Sequence, residues 1–336
     1  MPAEWEQQEA VWLAWPHNPE TWPGSVLEDV RESYARIVGI LSADQAVRVL
    51  ADDPDAEAGA RSLLGSRGVG LSSVSFLQVP TCDTWIRDYG PTFVVNDDRR
   101  RLAMVVWEFN AWGGKYEDLL GDNGIPALLN AQLGLEAFEA GLVLEGGSIE
   151  VNGRGLVLTT EQCMLHSNRN PRLGRGDLDT RLHDYLGAPE VLWLGEGIAG
   201  DDTDGHVDDI ARFVSPDTVV CCLEPDPADV NHRALRDNYE RLTRFRDRSG
   251  KGLRVVVLPM PRPVIAEGER LPASYANFYI GNRSVVVPVF DDPNDGPALE
   301  TLRGCFPGRR VVGVDSRSMI RGLGAIHCCT QQQPAL

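Results

Sequence analysis

Residues 322–333 read GLGAIHCCTQQQ, with a histidine and two adjacent cysteines set between glycines and glutamines. Glycines at 322 and 324 let the backbone bend sharply there and present a side chain into a pocket. Most buried cysteines are inert small hydrophobes, and the other adjacent pair, Cys221-Cys222, lies inside a β-branched run and reads that way. The pair at 328–329 has polar neighbours instead, which makes it the candidate reactive site. Neighbouring cysteines make poor disulfide partners, so seven cysteines in this chain indicate free thiols and a reducing compartment.

Outward from that stretch, β-branched runs recur: SVSFLQV, TFVV, RLAMVVW, GLVLTT, DTVVCCL, LRVVVLPM, RSVVVPVF and RRVVGV. Each is bounded by Gly, Pro or Asp, which predicts strands buried in an α/β fold. Ser25 and Glu28 form a capping-box pattern ahead of Leu27, Val30, Tyr34, Ile37, Val38 and Leu41 at helical spacing. A strand, AVRVLADD, follows that helix. A second helix is expected after Asp226-Pro227, with Asp226 as cap and Leu235, Tyr239 and Leu242 on one face. Strands outnumber helices, which argues against a doubly wound sheet or an eight-fold barrel. No repeat appears at a fixed sequence period, so any internal symmetry is structural only.

The chain has 336 residues, enough for two domains by length alone, yet no linker or low-complexity tract divides it. One domain over residues 1–336 is therefore expected. Mean hydropathy is −0.21, and no apolar run reaches the roughly 18 residues that span a bilayer. Acids outnumber bases 49 to 32, a net charge of −17, which disfavours nucleic acid and anionic lipid as partners. The opening residues MPAEWEQQEAVWLAWPH carry acids and no basic leader, which predicts a cytoplasmic location.

Three other stretches carry chemistry. In TCDTWIRDYGPTFVV, residues 81–95, a turn would bring the Trp85 ring beside the Asp88 carboxylate, a way to hold a delocalised cation. A structural Arg87-Asp88 turn with a core tryptophan explains the same residues. In VLEGGSIEVNGRGLVLTT, residues 143–160, Glu145 enters a Gly146-Gly147 turn open to close approach by a ligand, and a plain hairpin explains it nearly as well. In TDGHVDDIARFV, residues 203–214, His206 and Asp208 are read as opening a strand with both side chains on one face. That pair suits proton transfer and cation recognition, or a buried structural hydrogen bond. A metal site is not expected, because no second histidine lies near His206 in the chain.

Together these pieces resemble the agmatine deiminase and bacterial-type peptidylarginine deiminase family of guanidino-group-modifying enzymes. The resemblance runs through MPAEWEQQEAVWLAWPH, DTWIRDYGPTF, FNAWGGK, LEGGSIEVNGRG, NRNP, DGHVDDIARF, NFYIGNRSVVVP and IHCCTQQQP in that order. It implies a pentein fold, a five-bladed α/β propeller of pseudo-five-fold symmetric ββαβ units around a central active site. It implies Cys328 as nucleophile, His206 as general acid/base, and Asp208 and Asp88 as the carboxylates that grip the guanidinium. Trp85, Glu145, Gly146 and Asp204 follow as substrate-binding residues, and Cys329 as packing. No metal or organic cofactor is implied, and family members commonly self-associate, which points to a homodimer.

The implied reaction converts agmatine to N-carbamoylputrescine and ammonia through a covalent cysteine thiouronium intermediate. The chemistry is consistent: two carboxylates fix a planar guanidinium through paired hydrogen bonds, and its delocalised carbon needs a soft nucleophile. Peptidyl arginine or another guanidino compound is the alternative substrate, and a non-catalytic pentein binding protein the alternative class. A metal-dependent ureohydrolase lacks its ligand clusters in the sequence. The chain departs from the family pattern at Leu323 and Ala325, where agmatine deiminases usually read GGGNIHC, and at Cys82, where asparagine is more usual.

Overall fold

The computed structural model describes residues 1–96, 98 and 100–336. All eight β-branched runs lie in strands, because each holds valines or other branched residues that pack well on both faces of a pleated surface. Among the described residues the strands form five sheets of three or four strands and one two-stranded ribbon. Four of the larger sheets repeat one pattern. Thr92–Val95 pairs antiparallel with Leu102–Glu108, which pairs parallel with Glu136–Val143 across a connection holding helix Ile125–Leu133. The same order recurs from Glu150–Val151, from Ala211–Ser215 and from Tyr279–Ile280. Their parallel connections carry the helices Arg175–Leu186, His232–Arg244 and Asp295–Cys305.

The remaining large sheet uses both ends of the chain. Gln331–Pro334 lies antiparallel to Gln8–Ala14, which runs parallel to Ala46–Ala51 and, beyond it, Val74–Gln78. Each unit thus has the strand, strand, helix, strand order within an α/β fold, and the ladders do not close into a barrel among the described residues. Paired identities are hidden in sequence because each unit has its own loops: the antiparallel turn spans Val95 to Leu102 in one unit and only Ser215 to Thr218 in another. None of the described helices is long and apolar enough to cross a membrane.

Three local expectations are corrected. The first helix spans Val26–Leu41 with the expected residues buried, but Ser25 is itself in the right-handed helical region and makes no side-chain cap. Glu28 turns to Arg31 at 2.7 Å instead. The helix expected after Asp226 begins at His232, because Asp226 and Asp229 spend their carboxylates on local turns to Ala228 N and Asn231 N. Finally, His206 does not open a strand. Val207–Asp209 forms a 3-10 turn closed by Ile210 N on Val207 O, and the strand starts at Ala211.

Cys221 and Cys222 are fully buried in the strand Thr218–Leu223. Burial pushes the Cys222 thiol up to about 12, which keeps it an apolar filler.

Candidate active site

The stretch that began with Trp85 forms one helical turn, Ile86–Tyr89, rather than an extended segment. Its Arg87 N–H donates to Cys328 O at 3.1 Å, which fixes this turn against the turn that carries the cysteine. Trp85 and Asp88, three residues apart on a helical turn, then face the same side, and both line one cavity with Cys328. Gly324 is required here, since a Cβ would sit 2.5 Å from the Trp85 ring. Arg87 does not pair with Asp88; its guanidinium donates to Glu4 at 3.1 Å and Gln332 at 2.7 Å.

Asp88 is placed by two donors, Trp112 Nε1 on Oδ2 and Gly147 N on Oδ1, each at 2.9 Å. The glycine turn matters at Gly147, where a Cβ would lie 2.6 Å from His206 Nδ1, 2.8 Å from Asp88 Oδ1 and 3.2 Å from Asp208 Oδ2. Three functional side chains therefore converge on one missing methyl group. Gly146 is equally constrained for a different reason: its Cβ would strike Arg87 O at 2.1 Å.

His206 is buried with Nδ1 3.7 Å from Asp88 Oδ1 and Nε2 3.7 Å from Glu145 Oε2. Burial opposes its charge, but Asp88, Cys163 and Glu145 outweigh burial and hold the imidazole well above its usual range. Glu145 receives Arg169 Nε at 2.6 Å, and although burial works against ionisation, His206 and Arg169 keep its carboxyl below the usual value. Asp88 is the opposite case. Burial, reinforced by Asp208 and Glu145, raises its carboxyl to about 6 against the pull of His206 and the Trp112 donor.

Asp208 Oδ2 meets His327 Nδ1 at 2.6 Å and lies 3.9 Å from Cys328 Sγ. The other nitrogen of His327 meets Glu4 Oε2 at 2.9 Å, so the ring is held between two carboxyl groups. Arg87 and Arg212 also converge on Glu4. Burial opposes ionisation of Glu4, but Arg212, His327 and Arg87 together hold its carboxyl far below the usual range. Asn277 spans the same region: its Nδ2 donates to Cys328 Sγ at 3.1 Å and to Asp209 at 3.0 Å, while its Oδ1 accepts from His327 N at 2.9 Å.

The Cys328 thiol is pushed well above its usual value by burial and by the Asp208, Asp209 and Asp88 carboxylates. It rests protonated. Cys329 packs in the core with its Sγ toward Ile326 O at 3.2 Å.

The structure brings Cys328, His206, Asp208, Asp88, Trp85, Glu145 and Gly146 into one region, with Trp85, Asp88 and Cys328 at the cavity wall and the others behind them. Asp204 is placed differently. Its carboxylate is taken by Lys115, Arg169 and Asn168 at 2.8 to 3.0 Å, and it does not line the cavity. Glu4, Trp112, Asn277 and His327 were missed as functional residues. Trp112, Asn277 and His327 fall inside the motifs FNAWGGK, NFYIGNR and IHCC, but nothing in residue type or spacing separates a site residue from a core one there.

The cavity holds about 250 Å³, below the roughly 300–1,000 Å³ of drug-sized sites. Its lining includes Glu20, Asp118 and Asp202 against, among the described residues, the single cation Arg321. A buried thiol, an imidazole and paired carboxylates around a small anionic pocket define a hydrolase of C–N bonds in linear amidines. The chain belongs to the Porphyromonas-type peptidyl-arginine deiminase family, which it matches over residues 1–334. It is 38% identical over 335 residues to a putative agmatine deiminase of Legionella pneumophila, covering 99% of this chain and 94% of that one. It is 37% identical to the agmatine deiminase of Pseudomonas syringae, covering 100% of this chain and 95% of that protein. The solved agmatine deiminase of Enterococcus faecalis superposes with a TM-score of 0.91 at 34% identity, covering 100% of this chain and 95% of that one. The α/β fold is that of these pentein enzymes.

Proposed function

We propose that this protein is an agmatine deiminase, hydrolysing the guanidinium of agmatine to N-carbamoylputrescine and ammonia. The observation that carries the reading is the convergence of the Cys328 thiol and the Asp88 carboxylate on one small cavity whose mouth is acidic. Agmatine presents a cation at each end and no carboxylate. Free arginine would set its carboxylate against Glu20, Asp118 and Asp202, and a peptide would need a wider mouth.

The residues divide the work as follows. Asp88 and Asp208 accept the guanidinium N–H groups and fix its plane, with Trp85 as the wall. The incoming positive charge offsets the carboxylates that keep Cys328 protonated, so substrate binding itself favours the thiolate, and Asn277 donates to the sulfur. Sγ attacks the guanidino carbon to form a tetrahedral adduct. His206, held charged by Asp88 and Glu145, gives its proton to the departing nitrogen, which leaves as ammonia. The neutral imidazole then takes a proton from water as the water attacks the thiouronium carbon, and collapse of that adduct returns the thiolate. In this reading the five strand-strand-helix-strand units are the blades of one catalytic domain around the pocket, each lending residues from loops at one end.

The test measures ammonia and ureido product from agmatine, free arginine and an arginine peptide. Turnover of agmatine that disappears in Cys328→Ser and persists in Cys329→Ser supports the proposal. Preference for the peptide, or activity that survives Cys328→Ser, overturns it.

A further inference from the structure

No second histidine lies near His206 in the chain. The fold supplies other donors. Glu145 leads into the turn Gly146–Ser148, Cys163 lies in the helical turn Glu161–Met164, and His206 precedes Val207–Asp209. Their ligand atoms lie within 4.8 Å of one another, and all three side chains are buried.

Glu145 Oε2 is the common corner, 3.7 Å from His206 Nε2 and 4.0 Å from Cys163 Sγ. Tetrahedral zinc, with bonds of about 2.0 Å to nitrogen and oxygen and about 2.3 Å to sulfur, has N···O and S···O edges of about 3.3 and 3.5 Å. The gaps exceed those edges by roughly half an ångström or less, within reach of small side-chain adjustments. Arg169 occupies Oε1 and leaves Oε2 free to turn inward. That guanidinium is shared with Asp204 at 2.8 Å, which limits its repulsion of a cation. Independently, both ring nitrogens of His206 are buried without a hydrogen-bond partner. A donor set of thiolate, imidazole and carboxylate suits zinc or cadmium and discriminates against magnesium and calcium.

We propose that Glu145, Cys163 and His206 form an inhibitory site for a thiophilic divalent cation such as zinc. Binding displaces the thiol proton of Cys163 and the charged-ring proton of His206 to solvent, and the metal takes the electron pairs they release. His206 is then unable to give or take a proton, although Cys328 is untouched. The acidic residues lining the cavity concentrate dications, and Asp88 at its wall lies 3.7 Å from Nδ1 of the His206 ring.

Cobalt serves as the visible probe, titrated in thiol-free buffer into wild type, Cys328→Ser, Cys163→Ala and the closer-volume Cys163→Ser, each checked for folding by circular dichroism. The expected result is a sulfur-to-cobalt absorption band saturating at one equivalent in wild type and Cys328→Ser and lost in both Cys163 variants. Zinc should inhibit wild type reversibly, with chelator restoring the rate. Measured against each variant's zinc-free rate, loss of a ligand should raise the inhibition constant at least about tenfold. A band that vanishes in Cys328→Ser and persists without Cys163 places the cation on the nucleophile and overturns the proposal, as does the absence of any band in wild type. The inhibition arm rests on the deiminase reading and the absorption arm does not. Wild type that binds cobalt through Cys163 but turns over no guanidino compound would therefore refute that reading and leave this one standing.

Discussion

Replacing Trp112 with phenylalanine isolates the electrostatics of Asp88 from its packing. Trp112 Nε1 donates to Asp88 Oδ2 at 2.9 Å, while its ring packs edge-on against Phe109 and Tyr116 at centroid distances of 5.0 and 5.7 Å. Phenylalanine keeps a ring in that place and deletes the donor. A hydrogen bond to a charged, buried acceptor contributes about 1.5–3 kcal/mol, and about 1.4 kcal/mol corresponds to one pKa unit. Losing a bond that favours the ionised form raises the carboxyl, so its midpoint moves from about 6 to roughly 7–8. In the proposed mechanism ionised Asp88 grips the substrate, so activity is lost as pH falls through that midpoint. The assay is kcat/KM for agmatine from pH 5 to 9, which reports groups of the free enzyme. At pH 6.5 the variant should fall roughly three- to twenty-five-fold below wild type, and the two curves should converge as pH rises. A loss of equal size at every pH would show that Asp88 does not set the acid limb and would refute the reasoning.

Other substitutions test neighbouring links. Asn277→Ala removes the donor to Cys328 Sγ, and a hydrogen bond to a charged group of about 1.5–3 kcal/mol predicts a roughly 10- to 150-fold slower inactivation by iodoacetamide at fixed pH, with kcat reduced in step. Glu4→Ala leaves Arg87 and Arg212 buried without their shared carboxylate, which should cost about 3–5 kcal/mol in urea unfolding. An effect below about 1 kcal/mol would mean that the cluster does not hold the site together. Leu323 has φ of +69° at the cavity wall, where a side chain costs about 1–2 kcal/mol and glycine brings an entropic penalty of about 0.5–1 kcal/mol. Leu323→Gly relieves a net strain of about 0–1.5 kcal/mol while losing the side chain's packing on the core, so Tm should change by only a few degrees.

The strands were legible because valine-rich runs between turn residues have few other uses, and all eight lie where they were expected. The short strands Glu150–Val151 and Tyr279–Ile280 carry too few residues for a period to show. Gln331–Pro334 reads as polar coil, and only its pairing with Gln8–Ala14 makes it a strand. At the site, the motifs name residues that the fold brings together, while the local geometry differs from the sequence reading. His206 and Asp208 reach the cavity region through a 3-10 turn, because Asp201 draws the His206 N–H at 3.0 Å and bends the chain before the strand begins. Asp204 looked equivalent to its neighbours in sequence and is consumed by Lys115 and Arg169, cations whose approach depends wholly on tertiary structure. The Glu4–His327 contact joins residues 323 positions apart, beyond any spacing rule.

That contact and the strand pairing beside it also bear on the order of synthesis. Gln8–Ala14 precedes its antiparallel partner by more than 300 residues, and Glu4 precedes His327 by as many, although Arg87 and Arg212 reach Glu4 sooner. At about 5–20 residues per second the wait is roughly 16 to 65 seconds. Throughout it, the Gln8–Ala14 edge that Gln331–Pro334 covers remains unpaired, a window in which nascent chains are open to edge-to-edge association. Cys328, the proposed nucleophile, is made only three residues before Gln331. A chain stopped before Cys328 would lack both that thiol and the strand Gln331–Pro334, leaving the Gln8–Ala14 edge open.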